Sequence, residues 1–356
     1  MASIVDVAKL AGVSPATVSR VLSTRPQPVG DATRARVLEA ARALDFVPNA
    51  LARGLLKSHV PVVGVIVHDI TDPYFNEVVR GIEDAASSEG YLVITCSSDR
   101  VAEREESYVR LLRSIRAAVV IFAGSGIDDP GLSRAIGRHT EGIRAYGGAV
   151  VHLSPHAFGA AEVGVDNSAG MASIVKTLVD AGHRKVAYLS GPTRLFVTRE
   201  RLAGYRAGLA AAGLPFEPRL VIETAFNSDG GAKGVDKLLS LDTSFTAVAC
   251  ANDLLAIGAM ARLDQLGVRV PDGISVTGFD DIRQAGEIVP GLTTVRLPLR
   301  DMGSGGFEYA ARLLAGSRPR RQLLDLEVIE RGSVGPANPV RRTARRPRAT
   351  VMAGAR

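Results

Sequence analysis

Several things are scarce in this 356-residue chain, and each scarcity closes off a class of protein. It has only two cysteines, Cys96 and Cys250, and neither has another cysteine or a histidine close by in sequence. That argues against a disulfide framework and a zinc ribbon, and two reduced core thiols are expected. Long apolar runs are missing. A run such as Ala117–Ala123 is far short of the roughly 20 residues that a membrane helix needs. The first residues are polar and helix-capping and lack the apolar core of a signal peptide, so a cytoplasmic protein is expected. Catalytic signatures are also missing. There is no G-x-S-x-G. Gly126 and Gly131 have P-loop spacing, but Leu132 follows where a lysine is needed. Gly124-Ser125-Gly126 opens like a dinucleotide loop, but Asp129 stands where the third glycine would be. His152 and His156 are four residues apart, but Pro155 between them rules out a helical zinc pair. No metal and no cofactor are expected, and an enzyme is the weaker class.

One stretch lacks acids altogether. Residues 335–356 hold Arg341, Arg342, Arg345, Arg346, Arg348 and Arg356 and no Asp, Glu or Lys, which accounts for the whole formal charge of +6. With its Pro, Gly and Ala and no apolar periodicity, 334–356 reads as a basic disordered tail. The first 60 residues carry eight Lys/Arg against four acids, and 61–334 carry 29 against 33. A basic head on a mildly acidic body is a nucleic-acid footprint at one end of the chain.

What the head does contain is a helix-turn-helix. Ser3 and Asp6 make a capping signal, Val7, Ala8 and Ala11 share one face, and Gly12 suits a sharp stop. Ser14 caps a second helix that starts at Pro15. Val18 and Val21 face back toward the first helix across the small Ala8. The outer face keeps Ala16, Thr17, Ser19 and Arg20 for a base edge or a phosphate. Asp31–Leu44 reads as a third helix with the stripe Val37, Leu38, Ala41 and Leu44. Residues 1–46 thus form the headpiece, and 47–60 a hinge helix and linker opened by Pro48-Asn49.

From Val62 the pattern changes. Apolar runs at 62–67, 92–96, 119–123 and 150–153, then 186–189, 221–223, 247–251 and 275–278, are interleaved with helical stretches near 76–88, 102–114, 169–181, 199–212, 231–239 and 254–266. This is the signature of two doubly wound sheets in tandem, with a cleft at the carboxyl ends of their strands. Runs at 292–297 and 323–329, with a helix near 302–314, suffice to complete both.

Motifs in order along residues 2–333 carry a family resemblance. They are Asp6-Val7-Ala8, Ala11–Ser14, Thr17–Val21, Val47–Arg53, Gly182-His183-Arg184, Arg201–Tyr205, Ala251-Asn252-Asp253 and Val270–Asp281. The chain resembles the lactose-repressor/galactose-repressor (LacI/GalR) family of bacterial transcription regulators. The resemblance implies an all-α headpiece plus an α/β periplasmic-binding-protein-like core of two Rossmann-like lobes joined by three crossovers. Lobe 1 is placed at about 61–160 and 292–320, and lobe 2 at about 161–290 and 322–333. It also implies a homodimer on palindromic operator DNA, with no membrane contact, in the cytoplasm and on the nucleoid. A small molecule in the cleft, a sugar or related polar ligand, controls it as inducer or co-repressor. With no Leu heptad in the tail, a dimer is expected over a tetramer.

By the same resemblance, the DNA-facing residues are Ser14, Pro15, Ala16, Thr17, Ser19 and Arg20, with Asn49, Ala52 and Leu55 in the hinge. Pro15 and Ala16 offer only apolar contact, Arg20 reads guanine or binds phosphate, and Thr17 and Ser19 suit phosphate. Leu55 stands where relatives wedge a leucine into the minor groove, though it suits packing on its dimer mate as well. The implied effector set is Asp69, Tyr74, Phe75, Arg201, Phe226, Asn252 and Asp280. Core packing is the lesser alternative for Phe75 and Phe226, and Asp253 reads as a helix cap. Two departures stand out: Ser154 where relatives have an aspartate, and Gly124 where others have a polar side chain. The rival readings are a DNA-binding architectural protein with no ligand and, more remotely, an enzyme on a doubly wound core.

Overall fold

A computed structural model describes residues 2–22, 28–46, 59–157 and 162–337. The headpiece has helices α1 (Ile4–Ala11), α2 (Pro15–Val21) and α3 (Asp31–Ala43). Ser3 Oγ accepts from the Asp6 amide at 3.3 Å while Asp6 Oδ2 accepts from the Ser3 amide at 2.9 Å, a reciprocal capping box. Gly12 stops α1 at φ +63°, where a side chain would be strained. Ser14 Oγ accepts from the Thr17 amide and starts α2. Val7, Ala8, Ala11, Val18 and Val21 pack with Val37, Ala40 and Ala41 in a core separate from that of the body. Leu38 is 37% exposed rather than inward. The i, i+3, i+4, i+7 set on α3 is Val37, Ala40, Ala41 and Leu44, and Leu38 lies about 100° away from it.

Lobe 1 contains β1 (Val60–Val67), α4 (Pro73–Ser88), β2 (Leu92–Ser97), α5 (Ala102–Ser114), β3 (Ala117–Phe122), α6 (Pro130–Ala145) and β4 (Ala149–His152). Its strands are parallel in the order β2-β1-β3-β4. Helices cover both faces, so β3 is wholly buried and reads as an unbroken apolar run. Helix α6 has no counterpart in the sequence pattern. Its inward stripe of Leu132, Ala135, Ile136, Thr140 and Ile143 includes Ala and Thr, which blunts the periodicity. Asp129 is its cap, accepting from the Gly131 and Leu132 amides at 2.7 and 2.9 Å.

After β5 (Val163–Val165) come α7 (Asn167–Asp180), β6 (Val186–Ser190), α8 (Phe196–Ala211), β7 (Val221–Glu223), α9 (Ser228–Ser240), β8 (Ala247–Cys250), α10 (Asp253–Gln265), β9 (Ser275–Thr277) and α11 (Arg283–Glu287). The second sheet is again parallel, in the order β7-β6-β8-β9. The chain closes with β10 (Thr294–Arg296), α12 (Leu299–Leu314), β11 (Gln322–Leu324) and β12 (Glu327–Ile329).

The lobe boundaries differ from those expected. β5 pairs with β11, and Glu162 just before it accepts from the His152 amide at 2.7 Å, so 162–165 and 322–324 belong to lobe 1. β10 bridges to the loop after β9 and pairs antiparallel with β12, so 294–296 belong to lobe 2. The single strand expected over 323–329 is therefore two, split where the chain passes between lobes. Crossings fall after 165, after 296 and after 324. Glycines let paired helices touch. A Cβ on Gly81 or Gly303 would strike backbone across α4 and α12, and one on Gly231 or Gly258 would do so across α9 and α10. Among the described residues, no helix is long and apolar enough to cross a membrane.

Candidate reading helix and interlobe cleft

Helix α2 turns Val18 and Val21 inward and leaves Ser14, Pro15, Ala16, Ser19 and Arg20 exposed. Thr17 is half-buried, and its hydroxyl lies 3.0 Å from Ser14 Oγ. The exposed face thus offers two small apolar surfaces and hydroxyls at its N-terminal end and one cation, Arg20, in its last turn. Asn49, Ala52 and Leu55 lie outside the described residues.

The cleft is built at strand ends. From lobe 1, His68 follows β1, Arg100 follows β2, Ala123, Gly124 and Ser125 follow β3, and Ser154 follows β4. Asp72, Tyr74 and Phe75 enter from the start of α4. Lobe 2 supplies Leu195, Val197, Arg201, Phe226, Asn252 and Asp280. Counted with its mouth, the cavity is about 440 Å³. Among the described residues, no group of three or more His, Cys, Asp or Glu is placed to hold a metal.

Arg201 and Asp280 form the buried polar centre, with Arg201 Nη2 3.0 Å from Asp280 Oδ1. Arg201 Nε donates to Asn167 Oδ1 at 3.0 Å and Nη1 to the Ala251 carbonyl at 2.6 Å, and the guanidinium stacks 3.9 Å from the Phe279 ring centre. Burial pushes the Asp280 carboxyl well up, and Arg201 opposes the shift. Asp280 and Asp281 have φ values of +120° and +54°. Backbone held in such conformations clusters at binding sites. Asp281 anchors the turn by meeting Arg296 at 2.8 Å and Arg331 at 2.7 Å.

Asn252, not Asp253, caps α10: its Oδ1 accepts from the Leu255 amide at 3.0 Å. That leaves the Asn252 side-chain amide facing the cleft. Asp253 is wholly buried and accepts from the Ile282 amide at 2.9 Å and the Thr294 hydroxyl at 2.6 Å. Burial raises it to about 6. It pins the Asp280 turn to β10.

Six of the seven residues expected at the effector site line this cleft. Asp69 does not. Its carboxylate accepts from the Thr71 amide and hydroxyl, at 2.8 and 2.7 Å, in a tight turn. Asp72 lines the wall instead, while capping α4 through the Tyr74 amide at 3.0 Å. Sequence reasoning missed Asp72, His68, Arg100, Leu195 and Val197. His68 and Arg100 were within reach of the rule that ligands sit beyond the carboxyl ends of strands. Burial drops His68 to about 3, so it is neutral at physiological pH.

The lobes meet across the cleft. Ile127 and Leu195 form an antiparallel bridge, the Asp128 amide donates to the Arg194 carbonyl at 2.8 Å, and the Val197 amide donates to Ser125 Oγ at 3.0 Å. Arg199 meets Asp128 at 2.7 Å. Phe75 and Phe226 are largely shielded, so this is a closed arrangement.

Comparisons with known proteins follow the same division. Residues 3–49 match the family described as bacterial regulatory proteins, lacI family, and residues 175–334 match the periplasmic binding protein-like domain. The chain is 33% identical over 341 residues to the HTH-type transcriptional repressor PurR of Vibrio parahaemolyticus serotype O3:K6, covering 95% of this chain and 100% of that one. Among solved structures it is similar to the lac repressor dimer bound to operator and the anti-inducer ONPF. The TM-score is 0.80 at 25% identity, over 94% of this chain and 99% of that one. It is also similar to a complex of the transcriptional regulator CelR with cellobiose. There the TM-score is 0.67 at 28% identity, over 94% and 100% of the two chains.

Proposed function

The chain belongs to the LacI family of bacterial transcription regulators, and from that premise we propose how its residues divide the work of a DNA-binding repressor controlled by a small molecule. It is a regulator, not an enzyme. The observation that carries the division is the pairing, in one chain, of an exposed α2 edge with a closed interlobe cleft centred on Arg201 and Asp280.

A homodimer sets two copies of α2 in two major-groove half-sites of a palindromic operator. Arg20 reads a base or grips phosphate, Pro15 and Ala16 make apolar contact, and Ser14, Thr17 and Ser19 meet the backbone. Asn49, Ala52 and Leu55 form the hinge contact, with Leu55 opening the central base step. The effector is a sugar or a related polar ligand held between Phe75 and Phe226, with Tyr74, Asn252 and Asp280 around it. Its grip on both lobes shifts their closure, and with it the spacing of the two headpieces. The protein works in the cytoplasm, at the nucleoid.

Selecting binding fragments from random DNA with the purified protein tests this division. It predicts a palindromic site, and Leu55→Ala is expected to reduce bending of that site in a circular-permutation gel shift. Binding without sequence preference would instead support an architectural role.

A further inference from the structure

We propose that the effector carries an oxyanion, a carboxylate or phosphate ester on a small ring, and that Arg100 selects it. This rests on the reading of the cleft as the effector site. Two arginines line the cleft, and one is already used. Arg201 faces Asp280 at 3.0 Å and gives two further nitrogens to Asn167 and Ala251. Arg100 is different. Its guanidinium lies 5.9 Å from the Phe226 ring centre in the opposite lobe, and its buried Nε has no hydrogen-bond partner.

The carboxylates around Arg100 are turned to other partners. Asp69 holds Thr71, Asp72 caps α4 through the Tyr74 amide, and Asp99 pairs with Arg104. Burial also pushes the Asp72 carboxyl up, which weakens its claim on Arg100. A second cation, Arg194, sits at the same corner and donates to the Arg100 carbonyl at 3.3 Å, with no ion pair of its own among the described residues. Asp72, Asp69 and Asp99 favour the charged form of Arg100 from a distance, but none forms an ion pair with it among the described residues, and a partly buried guanidinium without one is costly unless something anionic completes it.

The backbone also points to a purpose for this arginine. Asp99 and Arg100 have φ values of +52° and +58°, two successive left-handed residues that carry side chains. Such conformations are disfavoured and persist where the surroundings hold them. Here the Asp99 amide donates to the His68 carbonyl at 2.6 Å, and Arg194 holds the next carbonyl. The turn delivers Arg100 into the cleft. The apolar part of the wall, Phe75, Phe226, Leu195 and Val197, suits a ring face, and it stands beside the polar Ser125, Ser154 and Asn252 and the carboxyls of Asp72 and Asp280.

Calorimetric titration of the full-length protein at low salt with matched pairs tests this. Suitable pairs are glucuronate with glucose, ribose 5-phosphate with ribose, and benzoate with benzamide. At least one acid should bind about tenfold or more tighter than its neutral partner, the scale of a charge-assisted contact. The pair that responds tells carboxylate from phosphate. Arg100→Gln should erase the preference, and Arg100→Lys should restore part of it. The proposal is overturned if no acid outbinds its partner or if Arg100→Gln keeps the preference. Phe226→Ala separates the two readings. Ligands that lose affinity in Phe226→Ala but ignore charge leave the cleft standing and remove only the oxyanion. Ligands indifferent to Phe226→Ala remove the cleft assignment as well.

Discussion

A side chain at position 124 would have nowhere to go, because a Cβ there would strike the His68 imidazole. In the same way, His156 fills the space beside Gly126. The departure at Gly124 therefore reflects a refilled wall: the space that a side chain after β3 would take is occupied by the neutral His68 from the end of β1. Gly124→Ser should cost about 1–3 kcal/mol in denaturant unfolding through overpacking, and adding His68→Ala should recover much of it. At the other end of the molecule, Arg20→Ala should weaken operator binding by about 1–3 kcal/mol and relax one base preference, read by fluorescence anisotropy on a series of operator variants. Arg201 and Asp280 were legible because each sits in a distinctive motif. Asp72 and Arg100 were not. Asp72 looks like an ordinary cap before Pro73, and Arg100 depends on a left-handed turn that residue types alone do not announce.

At the scale of elements, legibility followed coverage. β3 and β6 are buried on both faces and appear as plain apolar runs. β5, the tripeptide Val-Gly-Val, exists only because β11 returns to pair with it, which a local pattern cannot foresee. Helix crossings depend on glycine. Gly258→Ala would press against Ser228 backbone in α9 and should lower stability by about 1–3 kcal/mol, despite the better helix propensity of alanine.

Helix α5 carries a further liability in Glu105, which is 2% exposed and is raised by burial from 4.5 to about 7. A folded-state value above the unfolded one means that its contribution is full below pH 4.5 and is lost as the pH rises through about 7. His68 acts in the opposite sense. Lowered from 6.5 to about 3, it makes the fold lose stability as the pH falls between those values. Glu105→Gln should therefore stabilise the protein at pH 8 by on the order of 1–3 kcal/mol and have little effect near pH 4, measured by urea unfolding at both.

Over the whole molecule, charge and architecture divide the labour. The headpiece is basic, the two-lobed body is mildly acidic, and the tail beyond 334 holds six arginines. The body is closed by contacts between the loop after β3 and the loop before α8, so the ligand and these contacts act on the same motion. Breaking the exposed Arg199–Asp128 pair with Asp128→Asn should ease opening and weaken effector binding modestly, by about 0.2–1 kcal/mol and less at high salt.

The central claim is that occupancy of the cleft sets the affinity of the headpiece for DNA. Its most direct test is the affinity of the dimer for a selected palindromic fragment, measured by anisotropy with and without a small molecule that stabilises the protein against heat. Saturation at two protomers per fragment is expected, with a shift in Kd of about tenfold or more on adding that molecule, in line with ordinary allosteric coupling. The shift, but not the binding, is expected to be lost in Phe226→Ala. A Kd unmoved by a ligand that demonstrably occupies the cleft would contradict the central claim.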